Sequence, residues 1–130
     1  MDDERCRVTR LVGVYDADHT LRGEMRYWIG ARLGLAHCAL CDITHGMLRR
    51  RSEWNAHVAR LAVPFDTFHR DDQPASVRAA SGDRAPVVVA ETPDGVVVLL
   101  DAADLAACER SVPAFAVALD HALAAAHLRV

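Results

Sequence analysis

Apolar residues along this chain recur with two periods, and those periods predict the elements. RVTRLVGVY, residues 7–15, is rich in β-branched side chains and runs into the polar turn DADHT, which predicts a first strand over 8–15. Over 20–33, Leu21, Met25, Trp28, Ile29 and Leu33 are spaced by threes and fours. That spacing predicts an amphipathic helix, with Thr20 placed to cap it and Gly34 to stop it. Ile43 and Met47 predict a short helix that breaks at the arginines of 49–51, after which Ser52 caps a second helix carrying Trp54, Val58 and Leu61. VPFDTFH, 63–69, predicts a second strand. Residues 70–85 read as a polar loop with one helical turn at 75–80. PVVVAETPDGVVVLL, 86–100, holds two β-branched runs around Pro-Asp-Gly, the strongest hairpin signal in the chain. Asp101 then caps DLAACER, and Phe115, Val117, Leu119 and Leu123 mark a closing helix that Pro113 begins.

Composition adds limits to this order. With 130 residues, 52% of them hydrophobic, one domain can bury an adequate core, so a single domain over 1–130 is expected. A formal charge of −3 supplies no broad cationic field for nucleic acid or an anionic membrane, and neither is an expected partner. The opening MDDERCRVTR is charged from its second residue and lacks both a secretory apolar core and a run of about 20 apolar residues. A cytoplasmic protein is the expectation. In that compartment cysteines serve more often as metal ligands, reactive thiols or small core residues than in structural disulfides. Cys6 and Cys108 carry no motif spacing and read as terminal or buried thiols.

Chemistry concentrates in LAHCALCDITHG, residues 35–46. Cys38 at a helix start would be stabilised as thiolate by unpaired backbone N–H groups and the helix dipole. Cys41, one turn further, is close enough to close a disulfide on it. Asp42 favours the neutral form of the second thiol, and Asp42 or His45 is available to take its proton. The same residues support a metal reading, since Cys38, Cys41 and His45 at i, i+3 and i+7 share a helix face. Such a set suits zinc or copper, with His37, a distant cysteine or water completing the sphere. For His19, His57, His69, His121 and His127, surface or satisfied core positions are expected.

A C-x-x-C at a helix start, a strand after it, and a proline about 45 residues later opening a β-hairpin together resemble the thioredoxin-like fold. The resemblance implies an α/β domain with a central mixed sheet flanked by helices. It also implies that Cys38 attacks a disulfide, Cys41 resolves the mixed disulfide, and Pro86 packs beside them in the cis form. A protein or small-molecule thiol or disulfide would be the partner. The chain departs from the family pattern in carrying an extra helix, 20–33, between the first strand and the C-x-x-C. It also has Ala-Leu between the cysteines and His37 where an aromatic is common. The motif is further similar to a group of small bacterial proteins with a C-x-L-C-x-I-T-x-G core and a downstream Glu-Trp, here Glu53 and Trp54. That likeness carries no chemistry of its own.

A third pattern, the apolar strand running into Asp16-x-Asp18-x-Thr20, resembles the nucleophile motif of haloacid-dehalogenase-type phosphatases, which use Mg²⁺. The chain has no lysine to sit by the phosphoryl group, and Asp71 and Asp72 follow the polar tail of a strand. Thiol-disulfide chemistry therefore ranks first, metal binding second, and phosphatase activity or a purely structural role behind them.

Overall fold

The computed structural model describes residues 6–16, 40 and 48–130. Its elements in chain order are β1 (Cys6–Arg7), β2 (Arg10–Val14), α1 (Leu48–Arg60), β3 (Phe65–Phe68), α2 (Ala75–Ser81), β4 (Val87–Thr92), β5 (Gly95–Leu100), α3 (Ala102–Ala107), α4 (Val112–Ala125) and β6 (Leu128–Arg129). The expected helix over 20–33 and the short helix around Ile43 and Met47 lie outside the described residues.

Four strands form one mixed sheet in the order β3-β2-β4-β5. β2 and β3 run parallel, with Leu11 opposite Phe65 and Val14 opposite Phe68. β4 runs antiparallel to β2, pairing Val14 with Val87, and β5 returns antiparallel to β4. The fold is thus mixed α/β with helices flanking a central sheet. The hairpin closes as its Pro-Asp-Gly signal predicts: Thr92 pairs with Gly95, whose φ of 136° suits glycine, and the Thr92 hydroxyl donates to the Gly95 carbonyl at 2.9 Å. A bulge lets Leu99 slip between the pairs Val88–Leu100 and Val89–Val98, so Leu99 and Leu100 both join the same core.

Strand alternation divides the apolar residues between two faces. On one face Leu11, Tyr15, Val88, Ala90 and Leu100 pack against Trp54 of α1, Leu105 of α3, and Phe115, Leu119 and Leu123 of α4. Trp54 meets Phe65 edge-on at 5.0 Å and Phe115 at 5.3 Å, an arrangement aromatic quadrupoles favour. On the other face Val12, Val14, Val87 and Val89 meet Val77 of α2. Arg10, Asp66 and Glu91 close this second face across three strands. Arg10 donates to both Glu91 oxygens at 2.6 and 2.9 Å and to Asp66 at 3.2 Å.

Several local expectations are corrected. The arginines at 49–51 do not break the chain: they lie inside α1, as their unbranched, helix-favouring side chains allow, and Ser52 sits in mid-helix as no cap. α2 runs for two turns, not one, stopped by Gly82 in the left-handed conformation at φ 65°. Val117 points outward at 55% exposure, because Phe115, Leu119 and Leu123 already fill the stripe. β1 and β6 form a separate parallel pair, Cys6 opposite Leu128 and Arg7 opposite Arg129, that no local pattern announced. Asp101 caps α3 as expected, in a reciprocal capping box with Asp104, and Pro113 stands at the second position of α4; Ser111, not among the expected caps, accepts from the Ala114 N–H ahead of that helix.

Candidate functional site

The register brings the carboxyl ends of β2 and β3, the start of β4 and the end of β5 to one edge of the sheet. β2 has a parallel neighbour on one side and an antiparallel one on the other. Carboxyl edges of parallel strands are where α/β sheets most often carry ligands.

Leu40, which the sequence places between Cys38 and Cys41, is helical and 0% exposed. It packs into the aromatic face over Gly13 of β2. A Cβ on Gly13 would lie 3.0 Å from Leu40 Cδ2 and 3.2 Å from Phe65 Cε1, so glycine here is what lets the chain approach β2. Gly13 stands opposite Val88, two residues from Pro86, and the Ala85–Pro86 peptide is cis, in the form expected for that proline. Cys38, Cys41 and His45, the redox and metal candidates, lie outside the described residues, as do His37, Asp42 and Asp18. Among the described residues no group of three or more His, Cys, Asp or Glu side chains is placed to hold a metal ion.

The remaining candidates are dispersed over the fold. Asp16 is exposed just past β2, and Arg70, just past β3, donates to its carboxylate at 3.4 Å. Cys6 is half-buried and its thiol donates to Asp94 at 3.6 Å. Cys108 is buried at the end of α3, donates to the Asp104 carbonyl, and has its thiol pKa pushed up by burial and then by Asp104. His69 lies against Tyr15, ring centroids 5.6 Å apart, and 3.6 Å from Asp72. His121 and His127 are exposed. His57 corrects the expectation of a satisfied histidine. It is 9% exposed between Trp54 and Phe115, and its buried Nε2 has no hydrogen-bond partner among the described residues. Burial, and secondarily Arg60, lowers its pKa, with Asp120 opposing.

The segment leading into Pro86 is a feature that sequence patterns alone did not single out. Gly82 and Asp83 are both left-handed, at φ 65° and 60°, and the Asp83 N–H donates to the Arg78 carbonyl. Buried Gln73 donates to the Arg70 carbonyl at 3.0 Å and to Asp83 at 3.2 Å, while Arg78 reaches the same carbonyl at 2.6 Å. This knot fixes Arg70 and Asp83 beside Pro86. A local signal existed in the run Gly82-Asp83 after a helix, the usual composition of a left-handed stop.

No protein-family model, curated protein or solved structure matches the chain. Among the described residues no helix is long and apolar enough to cross a membrane.

Proposed function

We propose that the protein is a thioredoxin-like thiol-disulfide oxidoreductase in which Cys38 attacks, Cys41 resolves and Pro86 flanks the reacting sulfurs. One observation carries the reading. Leu40, the residue between the cysteines, is buried over Gly13 at the stretch of β2 that faces the start of β4, two residues from Pro86. Two segments some 45 residues apart in sequence thus meet one edge of one sheet. The strand order β3-β2-β4-β5, with β4 antiparallel between β2 and β5, also supports the reading, as it is the arrangement such a fold requires.

The chemistry is a two-electron exchange. Cys38 thiolate attacks one sulfur of a disulfide, the S–S bond breaks, and one thiolate of the substrate leaves. Cys41, giving up its proton, attacks the Cys38 sulfur and closes an internal disulfide as the second thiolate leaves. The substrate gains two electrons and the dithiol loses them. An external thiol reductant must then return the protein to its dithiol form.

The test is intact mass of the native protein, purified without added reductant and in parallel with and without chelator, followed by turnover of a small disulfide. A mass lower by two hydrogens that maps to Cys38 and Cys41 is expected. Cys38→Ser should lose turnover, and Cys41→Ser should accumulate a mixed disulfide. Unchanged turnover in both variants would sink the proposal. A zinc or copper mass lost on replacing Cys38, Cys41 or His45 would put the metal reading in its place.

A further inference from the structure

Beside Pro86 the sheet edge opens into a cleft of about 500 Å³, within the size range of small-molecule sites. Its apolar lining is Ala85, Pro86, Val87, Val98, Ala102 and Ala103, and its polar lining is Arg70, Asp83, Arg84 and Asp101. Three of the four polar side chains are committed elsewhere. Arg70 pairs with Asp16, Asp83 is held by Gln73 and Arg78, and Asp101 accepts the Asp104 N–H in the α3 capping box. Arg84 differs. Its Nε donates to the Ser81 carbonyl at 2.8 Å, which steadies the guanidinium, and among the described residues its two terminal nitrogens have no hydrogen-bond partner.

We propose that this cleft binds a small molecule pairing one oxyanion, a carboxylate or a phosphate, with an apolar body. Arg84 receives the oxyanion through its terminal nitrogens, the fork geometry that suits carboxylate and phosphate oxygens. The apolar body lies on Pro86, Val98 and the alanines of α3. Val98, among the few large apolar side chains left substantially exposed, is covered by it. Asp101, whose carboxylate is close enough to Arg84 to feel its charge, sets a limit on the ligand: a single anionic group fits, and a second one would face that aspartate. Among the described residues the lining holds no thiol, and Pro86 is shared with the proposed dithiol site, so the experiment reads binding itself and does not depend on turnover.

The experiment is a two-dimensional amide NMR titration of the full chain with benzoate and with phenyl phosphate, and with benzylamine as a cation of the same shape. Saturable shifts at the amides of Ala85, Val87, Val98 and Ala103 are expected with an anion and not with benzylamine. Preference for benzoate or phenyl phosphate identifies which oxyanion the site takes. Arg84→Gln should weaken binding about tenfold or more, and Val98→Phe, which fills the cleft and leaves its charges intact, should abolish it. Arg60→Gln, outside the cleft, should leave it unchanged. If Arg84→Gln loses its native spectrum, Arg84→Lys takes its place, with weakened binding expected because the fork is gone. Absence of saturable shifts with both anions, stronger binding of benzylamine, or full binding in Val98→Phe would overturn the proposal.

Discussion

The two faces of the sheet are built from different material. One buries Trp54, Phe65, Phe115 and a set of leucines under α1, α3 and α4; the other buries five valines, under the seven-residue helix α2. Large side chains remove more apolar area from water and make more contacts, so among the described residues the aromatic face contributes more of the burial free energy. Among the described residues the valine face carries the smaller side chains and is completed by polar groups: the Arg10, Asp66 and Glu91 cluster at one end, and the knot of Gln73, Arg78 and Asp83 at the other. The cleft that Arg84 lines lies beside Pro86, where β4 begins.

That contrast can be broken by mutation. Phe115→Ala, at the centre of the aromatic cluster, should cost about 3–5 kcal/mol in urea unfolding, whereas Val77→Ala on the opposite face should cost about 2 kcal/mol. Equal losses would mean that the faces are energetically alike. Gly13→Ala pushes a methyl group toward Leu40 and Phe65 and should cost about 1–2 kcal/mol by overpacking. Because Leu40 separates the cysteines, the same variant should change the alkylation rate of Cys38 and Cys41. A rate identical to wild type would disconnect Leu40 from the thiols.

Smaller effects probe the polar closure. Arg10→Ala should destabilise by about 1 kcal/mol, with the difference shrinking at high salt, since the cluster is partly solvated. Hydrogen bonding to Arg10 holds the Glu91 pKa below its ordinary value of 4.5. The stability this pair contributes is therefore complete above that value and falls away as the pH drops through the lower folded-state pKa. In Arg10→Ala that acid dependence should flatten, as followed by unfolding between pH 5 and 3.

His57 supplies a second pH dependence, on the opposite face. Its folded pKa lies below the ordinary 6.5, so the unfolded chain takes up the proton first as acid is added. Stability from the neutral ring is complete above 6.5 and declines as the pH falls from there toward the folded value. His57→Phe should remove this slope between pH 7 and 5 and leave the Glu91 dependence in place. An unchanged slope would show that the buried imidazole is not its source.

Much of the local architecture is legible in the amino-acid sequence. Pro-Asp-Gly between valine runs specifies the hairpin, and Asp101 and Pro113 specify two helix starts, because caps and turns act over a few residues. The arginine run does not act as the expected break, since charge alone does not stop a helix whose residues favour it. The cysteine motif is conspicuous as a sequence, but the packing of its Leu40 over Gly13 is not, because that contact joins residues 27 positions apart.

Sequence by itself therefore determined the hairpin, two helix starts and the apolar alternation of the sheet strands, and it marks which residues carry candidate chemistry. Each of these follows from side-chain periodicity and backbone preferences that operate within a few residues. Tertiary structure alone decided that β4 lies between β2 and β5, that β1 pairs with β6, that His57 is buried between Trp54 and Phe115, and that Arg84 lines a cleft. Those outcomes depend on which distant surfaces find each other when the whole chain excludes water, and no local pattern encodes that choice.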